Sequence, residues 1–445
     1  MEVQFCINNI FENVETPCTY DGLTSYFKSN HHGKIFAKKI NEDLVLISNN
    51  YDIKPDSSDL YNECRSLVLS IGSTPRVISY THDNISYLKI SEYNAEPADT
   101  YEESFEGTLV SVFCYQGVWH FTTSRCTSID QSYFYDKNKN FGILFDDCLN
   151  QIGFESRDDF VSRLNPSVCY YFVIVHHANK YVIDYSDRFA PNYAKLVHIF
   201  SREQSTQQIV QSSSLFEGLI YPQKFTTYQD GLDWIIAQTN TEGLVVKRFN
   251  EQTKKIQLFK IHSDKYWLVK SHNPNYPNRW FGYLDIFKRD DPAFRIADYQ
   301  AENNIVENLV IGDSQTQVDI TGMIYLLYKG TAEFMFGVVL HFTKFDYKNS
   351  RFEKINASDY ELLKNQKYGL IRKQLSTLQG LVSKQTIKSA SDIVTHLRKY
   401  VSIEDFIGLM SCVEALDSEP SVGFNCSTNK KYRMFLSKYL ENLKN

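Results

Sequence analysis

Apolar and polar residues alternate with a period of two along much of the first 270 residues, whereas later apolar positions recur at helical spacing. In residues 99–126 two alternating runs flank Gln116-Gly117, which predicts a β-hairpin with Glu106-Gly107-Thr108 at its entrance. Upstream, residues 21–28 predict a short capped helix, and 34–40 and 44–49 predict strands around a polar turn. Residues 62–70 read as an apolar strand led in by Glu63 and Arg65. Downstream come helices at 141–152 and 158–164, then two strands within 170–184 about the turn 176–180. A helix at 229–238 leads to strands at 243–247 and 254–261. A Pro- and Asn-rich stretch beginning at Ser271 marks a boundary near His272. Beyond it, helical spacing recurs at 281–287, 320–336, 357–374, 389–400, 403–416 and 430–442. The pattern predicts an α+β domain over residues 1–272 and an all-α domain over 273–445.

Composition narrows the class. A chain of 445 residues has ample length for a proper core, so it needs no covalent staples. Its net charge of −6 excludes a surface coated in positive charge, so any nucleic-acid contact must be a local patch. Nine cysteines at unpaired spacings point to a reducing, intracellular, cytoplasmic setting, and the first residues lack the pattern of a signal peptide. The most apolar late stretch, 320–336, is interrupted by Lys329 and Glu333; it reads as a buried helix too short to span a bilayer, with no membrane implied.

Several residues suggest chemistry. A carboxylate and glycine where a loop meets a strand let a ligand approach the backbone while the acid meets its polar edge, which singles out Glu106-Gly107. The Arg65 fork suits a phosphate or carboxylate; the competing reading pairs it with Glu63, two positions away on one strand face. Glu242 with Lys247, Lys260 and Lys265 is the charge set that a triphosphate and Mg²⁺ require, or else a solvated sheet face. His176 and His177 tempt a metal reading, but neighbours on a strand face opposite ways and no third ligand has a matching spacing. Residues 359–399 hold eight Lys or Arg against three acids, including Arg372, Lys373, Arg398 and Lys399; this is an RNA-backbone candidate or a solvated helix face.

Taken in order, Glu63-Cys64-Arg65-Ser66-Leu67-Val68, Ser104-Phe105-Glu106-Gly107, the run 170–175, Glu242-Gly243-Leu244-Val245-Val246 and the run 260–266 resemble the motifs of ATP-dependent RNA ligases of the phage type, members of the covalent nucleotidyltransferase superfamily. The resemblance covers about residues 30–270. It implies an adenylation-type domain with antiparallel sheets flanking a cleft, ATP and Mg²⁺ as cofactors, and RNA as a partner. Carried over, it places Arg65, Glu106, Gly107, Glu242, Gly243, Lys247 and Lys260 at the nucleotide, with Glu242 also at the metal. Three positions depart from the family. Ser104 stands where the nucleophilic lysine belongs, Val173 where an acid belongs, and His262 where the second lysine of Lys-x-Lys belongs. Serine cannot supply the amine of a phosphoramidate, so no catalytic residue carries over, and Lys89 is the nearby substitute or a phosphate contact. The resemblance thus leaves three expectations: a nucleotide- or RNA-end-binding protein without lysyl-adenylate formation, an active ligase with a relocated lysine, or a scaffold for a protein partner. It implies no DNA partner, and the Asn-, Tyr- and Lys-rich texture suits a large DNA virus or phage.

Overall fold

The computed structural model describes residues 3–14, 17–50, 58–133, 138–210, 214–238, 240–272, 278–289, 295–302, 308–311, 314–317, 319–346, 351–354, 363–364, 366–384, 386–417 and 430–444. They fall into two units, 1–270 and 271–445.

The first unit carries strands β1 (Ile35–Lys39), β2 (Leu44–Asn49), β3 (Leu67–Ser70), β4 (Arg76–Tyr80), β5 (Ser86–Lys89), β6 (Thr100–Ser104) and β7 (Thr108–Tyr115). They are followed by β8 (Val118–Thr123), β9 (Val168–His176), β10 (Ala194–Glu203), β11 (Ile209–Val210), β12 (Lys224–Phe225), β13 (Gly243–Phe249) and β14 (Ile256–His262). Its main helices are α1 (Tyr20–His31), α2 (Asp59–Glu63), α3 (Phe141–Gln151), α4 (Arg157–Ser162), α5 (Tyr228–Ala237) and α6 (Asp264–His272), the last reaching the boundary. β1 to β4 form one antiparallel sheet. Two five-stranded sheets follow, in the orders β11-β10-β9-β7-β8 and β12-β6-β13-β14-β5. All pairs are antiparallel except β14 with β5. β6 and β7 lie in different sheets, so residues 105–107 carry the chain from one to the other.

Local chemistry explains the boundaries. Thr19 caps α1 by accepting from the Gly22 amide, and His32 with φ 48° ends it, three residues beyond the predicted stop. Gln116 and Gly117 both take positive φ, 49° and 80°, which matches the twist of a two-residue hairpin and sets the predicted β7–β8 turn. Thr227 and Asp230 cap α5 reciprocally. β9 is buried from Cys169 to His176. Phe172 and Ile174 pack with Phe145 of α3 and Phe160 of α4, while Tyr171 meets Leu44, Leu46 and Val68 of the four-stranded sheet. In the other five-stranded sheet Leu244, Val246 and Ile261 pack with Ile235 of α5.

Two local expectations change. Residues 59–63 are helical, and Glu63 bonds Lys255 Nζ at 2.6 Å and the Cys6 and Ile7 amides at 2.8 Å, so its partner is not Arg65. The second strand expected within 170–184 is absent, because the Val182 and Ile183 amides donate to the Glu106 carboxylate instead of to a neighbouring strand.

The second unit is built on α7 (Arg279–Arg289), α8 (Ile296–Glu302), α9 (Ile320–Phe342), α10 (Gly369–Ser383), α11 (Ala390–Tyr400), α12 (Ile403–Asp417) and α13 (Lys430–Lys444). Its core gathers Met323, Leu327, Tyr328, Leu397, Phe406 and Tyr439. It is helical but not all-α: Asn308–Ile311 pairs with Ser314–Gln317, and Thr343–Asp346 with Arg351–Lys354, as short hairpins. Each of these runs has only four residues, and a strand needs fewer residues than a stable helix. The start of the helix predicted from 357 lies outside the described residues. α9 has 23 residues rather than the 17 of the predicted stretch, long and apolar enough to cross a membrane by length and composition, and 61% of its apolar window is buried inside the protein.

Candidate functional site

Strand register builds the site. Ser104 on β6 lies opposite Gly243 on β13, which lies opposite His262 on β14, which lies opposite Lys89 on β5. The next row on the same face is Glu102, Val245, Lys260 and Tyr87. Side chains two apart share a face, so this polar set lies opposite the apolar face covered by α5.

At the end of these rows sits Glu242, 3% exposed. Its carboxylate accepts from Ser104 Oγ at 2.6 Å and from Lys260 Nζ at 2.8 Å on each oxygen, and His262 Nε2 lies 3.3 Å away. Burial works to raise the Glu242 carboxyl, but the Lys260 ammonium and the His262 ring outweigh it and hold the group well below the carboxylate range. Burial in turn pushes the His262 ring below its ordinary value, against the pull of Glu242.

Glu106 lies where the chain crosses between the five-stranded sheets. The amides of Val182 and Ile183 donate to it at 2.8 and 2.7 Å, and the Tyr266 hydroxyl at 2.8 Å. Its own amide donates to Tyr185 Oη at 2.9 Å. Burial raises its carboxyl above the ordinary value, with the nearby Glu242 charge in support and the hydrogen bonds in opposition. Both motif glycines meet backbone: a Cβ on Gly107 would stand 2.2 Å from the Ile174 carbonyl oxygen, and one on Gly243, at φ +138°, 1.9 Å from that of Ile261.

A cationic margin adjoins this centre. Tyr87 is 43% exposed, with Lys270 Nζ 4.8 Å from its ring centroid and the His262 ring at 5.4 Å. Burial opposes ionisation of the Tyr87 hydroxyl, yet the charges of Arg65, Lys260 and Lys270 bring it below its ordinary value. The buried Arg65 Nε has no hydrogen-bond partner among the described residues, and neither have His262 Nδ1 and Thr241 Oγ1. Unmatched buried donors beside two lysines suit an anion with several acceptor oxygens.

The structure therefore groups Arg65, Ser104, Glu242, Gly243 and Lys260, with Glu106 and Gly107 at the adjoining crossover. Lys247 is drawn aside, its Nζ 2.5 Å from Glu102 Oε2. Lys265 is exposed on α6. Lys89 ends the row three strands from Ser104, about 14 Å at the usual strand spacing. The histidines do not face opposite ways: their rings stack at 4.4 Å, because His177 leaves the strand for a 3₁₀ turn. The described residues hold no cluster of three or more His, Cys, Asp or Glu side chains fit for a metal. Glu242 does not suit Mg²⁺ as it stands, since the Lys260 ammonium occupies both its oxygens. Tyr87, Tyr266 and Lys270 were not singled out in the sequence; strand parity with Lys89 marks the first, and the helical i, i+4 spacing from Tyr266 marks Lys270.

The four basic residues singled out in the second unit do not form one patch: Arg372 and Lys373 lie on α10, Arg398 and Lys399 at the end of α11. Arg372 donates to the Lys364 carbonyl at 2.8 Å and Lys373 to Asp405 at 2.7 Å, both from α10. Arg398 donates to the Phe287 carbonyl at 2.6 Å, and Lys399 Nζ lies 5.3 Å from the Tyr400 ring centroid.

No family model matches the chain, and no curated protein matches it. Among solved structures its neighbours are ATP-dependent RNA and DNA ligases at low identity. Two are described as an archaeal ATP-dependent RNA ligase, form 1 and form 2, at 15% and 16% identity with TM-scores of 0.38 and 0.39; each match covers 67% of this chain and 73% of that one. A third, a putative ATP-dependent DNA ligase from Aquifex aeolicus, has 12% identity and a TM-score of 0.38, over 69% of this chain and 98% of that one.

Proposed function

We propose that the first unit is a ligase-like nucleotidyltransferase domain that binds ATP or a 5′-phosphorylated RNA end without forming a lysyl-adenylate. The observation that carries this reading is the Ser104 hydroxyl, donating at 2.6 Å to a buried Glu242 that Lys260 already neutralises. A hydroxyl committed to a strongly acidic carboxylate has no base to activate it, and serine supplies no amine. Lys89 lies at the far end of the same row, so it does not replace the lost group. In this reading Arg65, Lys260 and Lys270 hold phosphate oxygens and Tyr87 borders the ligand, while Gly243 lets β14 close against β13 beside it. Any Mg²⁺ arrives on the phosphates, which such ions prefer to a cage of protein ligands.

Incubation with α-labelled ATP and Mg²⁺, followed by denaturing electrophoresis, tests the absence of the covalent step. The expected result is no acid-labile AMP adduct. Label retained on the protein and lost on Lys89→Ala would replace this reading with an active ligase that uses a relocated lysine.

A further inference from the structure

The helical unit has a cationic cavity that the first unit's chemistry does not explain. Lys288 and Arg289 at the end of α7, with Arg398 and Lys399 at the end of α11, line one open cavity of about 470 Å³ together with Asp285 and Glu404. Four cations line it with two carboxylates, and Arg289 is paired with Asp285 within α7, so Lys288, Arg398 and Lys399 stand against Glu404 in a chain whose net charge is −6. Lys288 Nζ donates to the Val401 carbonyl at 2.6 Å, and Arg398 donates to the Phe287 carbonyl at 2.6 Å. Each helix thus sends a cation to main-chain oxygens at or just past the other's C-terminal end, which fixes two positive groups at the wall. The basic set expected from sequence divides accordingly: Arg398 and Lys399 line the cavity, whereas Lys373 on α10 is engaged with Asp405.

Tyr400 indicates the class of ligand. It directly follows Lys399 and is 67% exposed, with its ring centroid 5.3 Å from Lys399 Nζ and 5.3 Å from the His396 ring. Cations that follow a phosphate backbone beside an exposed ring that accepts a base are the two elements of single-strand recognition. A free phosphate would use the cations and leave the ring idle. We infer that this cavity and Tyr400 bind single-stranded RNA, a phosphodiester against Arg398 and Lys399 and a base on the Tyr400 ring. This inference is independent of the nucleotide reading of the first unit.

Fluorescence anisotropy of the full-length chain with a short fluorescein-labelled single-stranded RNA lacking a 5′-phosphate tests it, because that probe offers the first unit no phosphorylated end. Lys399→Glu is expected to weaken binding about tenfold and to flatten its salt dependence. Tyr400→Ala is expected to weaken it about fivefold or more, while Tyr400→Phe retains it. Lys373→Ala is expected to leave affinity within about twofold. Absence of binding, or affinity unchanged by both Lys399→Glu and Tyr400→Ala, overturns the inference. A loss on Lys399→Glu with none on Tyr400→Ala overturns it in favour of a site for phosphate alone, which competition by inorganic phosphate would then reveal. All four surface variants are expected to keep the parent's thermal unfolding.

Discussion

Of the chain's three Glu-Gly pairs, Glu106-Gly107 and Glu242-Gly243 stand directly at strand entrances, and the structure uses them differently. Glu106 is held by two main-chain amides and a tyrosine hydroxyl, and its following glycine lies against the β9 backbone. Glu242 is held by the side chains of Ser104 and Lys260, with His262 alongside. Main-chain amides cannot withdraw without moving a loop, whereas a lysine or serine side chain can turn to a ligand by changing rotamers. The first pair therefore acts as a strut between the crossover and residues 182–183, and the second is the chemical centre. Charge follows the same division. Burial dominates at Glu106 and raises its carboxyl, while the cations dominate at Glu242 and lower it.

The largest effect expected from this contrast is on folding. Glu106→Ala leaves the Val182 and Ile183 amides and the Tyr266 hydroxyl without their acceptor, and unsatisfied buried donors are costly. It is expected to destabilise the first unit by about 2–4 kcal/mol, less than the sum of three lost bonds because water reaches a half-buried site. Urea unfolding followed by the fluorescence of Trp267, in α6 beside Tyr266, measures it. A loss below about 0.5 kcal/mol, the level of an ordinary surface substitution, would remove the structural role assigned to Glu106.

How far the sequence revealed this contrast depends on how local each signal is. Gln116-Gly117, the alternation from β6 to β8 and the helix caps at Thr19 and Thr227 act within a few residues, so those elements were legible. The order of the motifs brought Arg65, Ser104, Glu242 and Lys260 together on paper. Their partners were less visible. Glu63 meets Lys255 across 192 positions, and no spacing rule links them; the adjacent Arg65 offered a false partner. The Glu106 carboxylate bonds amides of a stretch whose apolar residues read as a strand, because periodicity reports which side chains are buried and not where amides donate. In the second unit the two hairpins escaped notice because four-residue runs are too short for periodicity to register.

The next effect concerns the ligand. With Lys260 replaced by alanine, a phosphate at the Arg65–Tyr87 margin loses one charge-assisted bond, and affinity for ATP or 5′-phosphorylated RNA is expected to fall by about 1.5–3 kcal/mol, roughly 10- to 150-fold. Lys247→Ala is expected to have a smaller effect, since Lys247 is engaged by Glu102. Calorimetry distinguishes the two. Equal losses would mean that the Glu242-bound and Glu102-bound lysines are equivalent and the site is not centred on Glu242. No binding of either ligand at millimolar concentration would leave only an assembly role for the first unit.

The smallest effect is the pH dependence, where the two carboxylates should pull in opposite directions. Glu242 is lowered on folding from an ordinary value of 4.5. Its contribution to stability is therefore fully present above that pH and is lost as the pH falls below it towards the folded value. Glu106 is raised from the same ordinary value. The folded state binds its proton more tightly, so its contribution is present below 4.5 and is lost as the pH rises through the raised folded value. Urea midpoints across this range should show Glu242→Gln flattening the acid side of the profile and Glu106→Gln flattening the side above 4.5. Glutamine keeps an acceptor for the Val182 and Ile183 amides, so the second variant removes the titration without removing the strut. If both variants altered the same side of the profile, the two carboxylates would share one environment and the contrast between strut and chemical centre would fail.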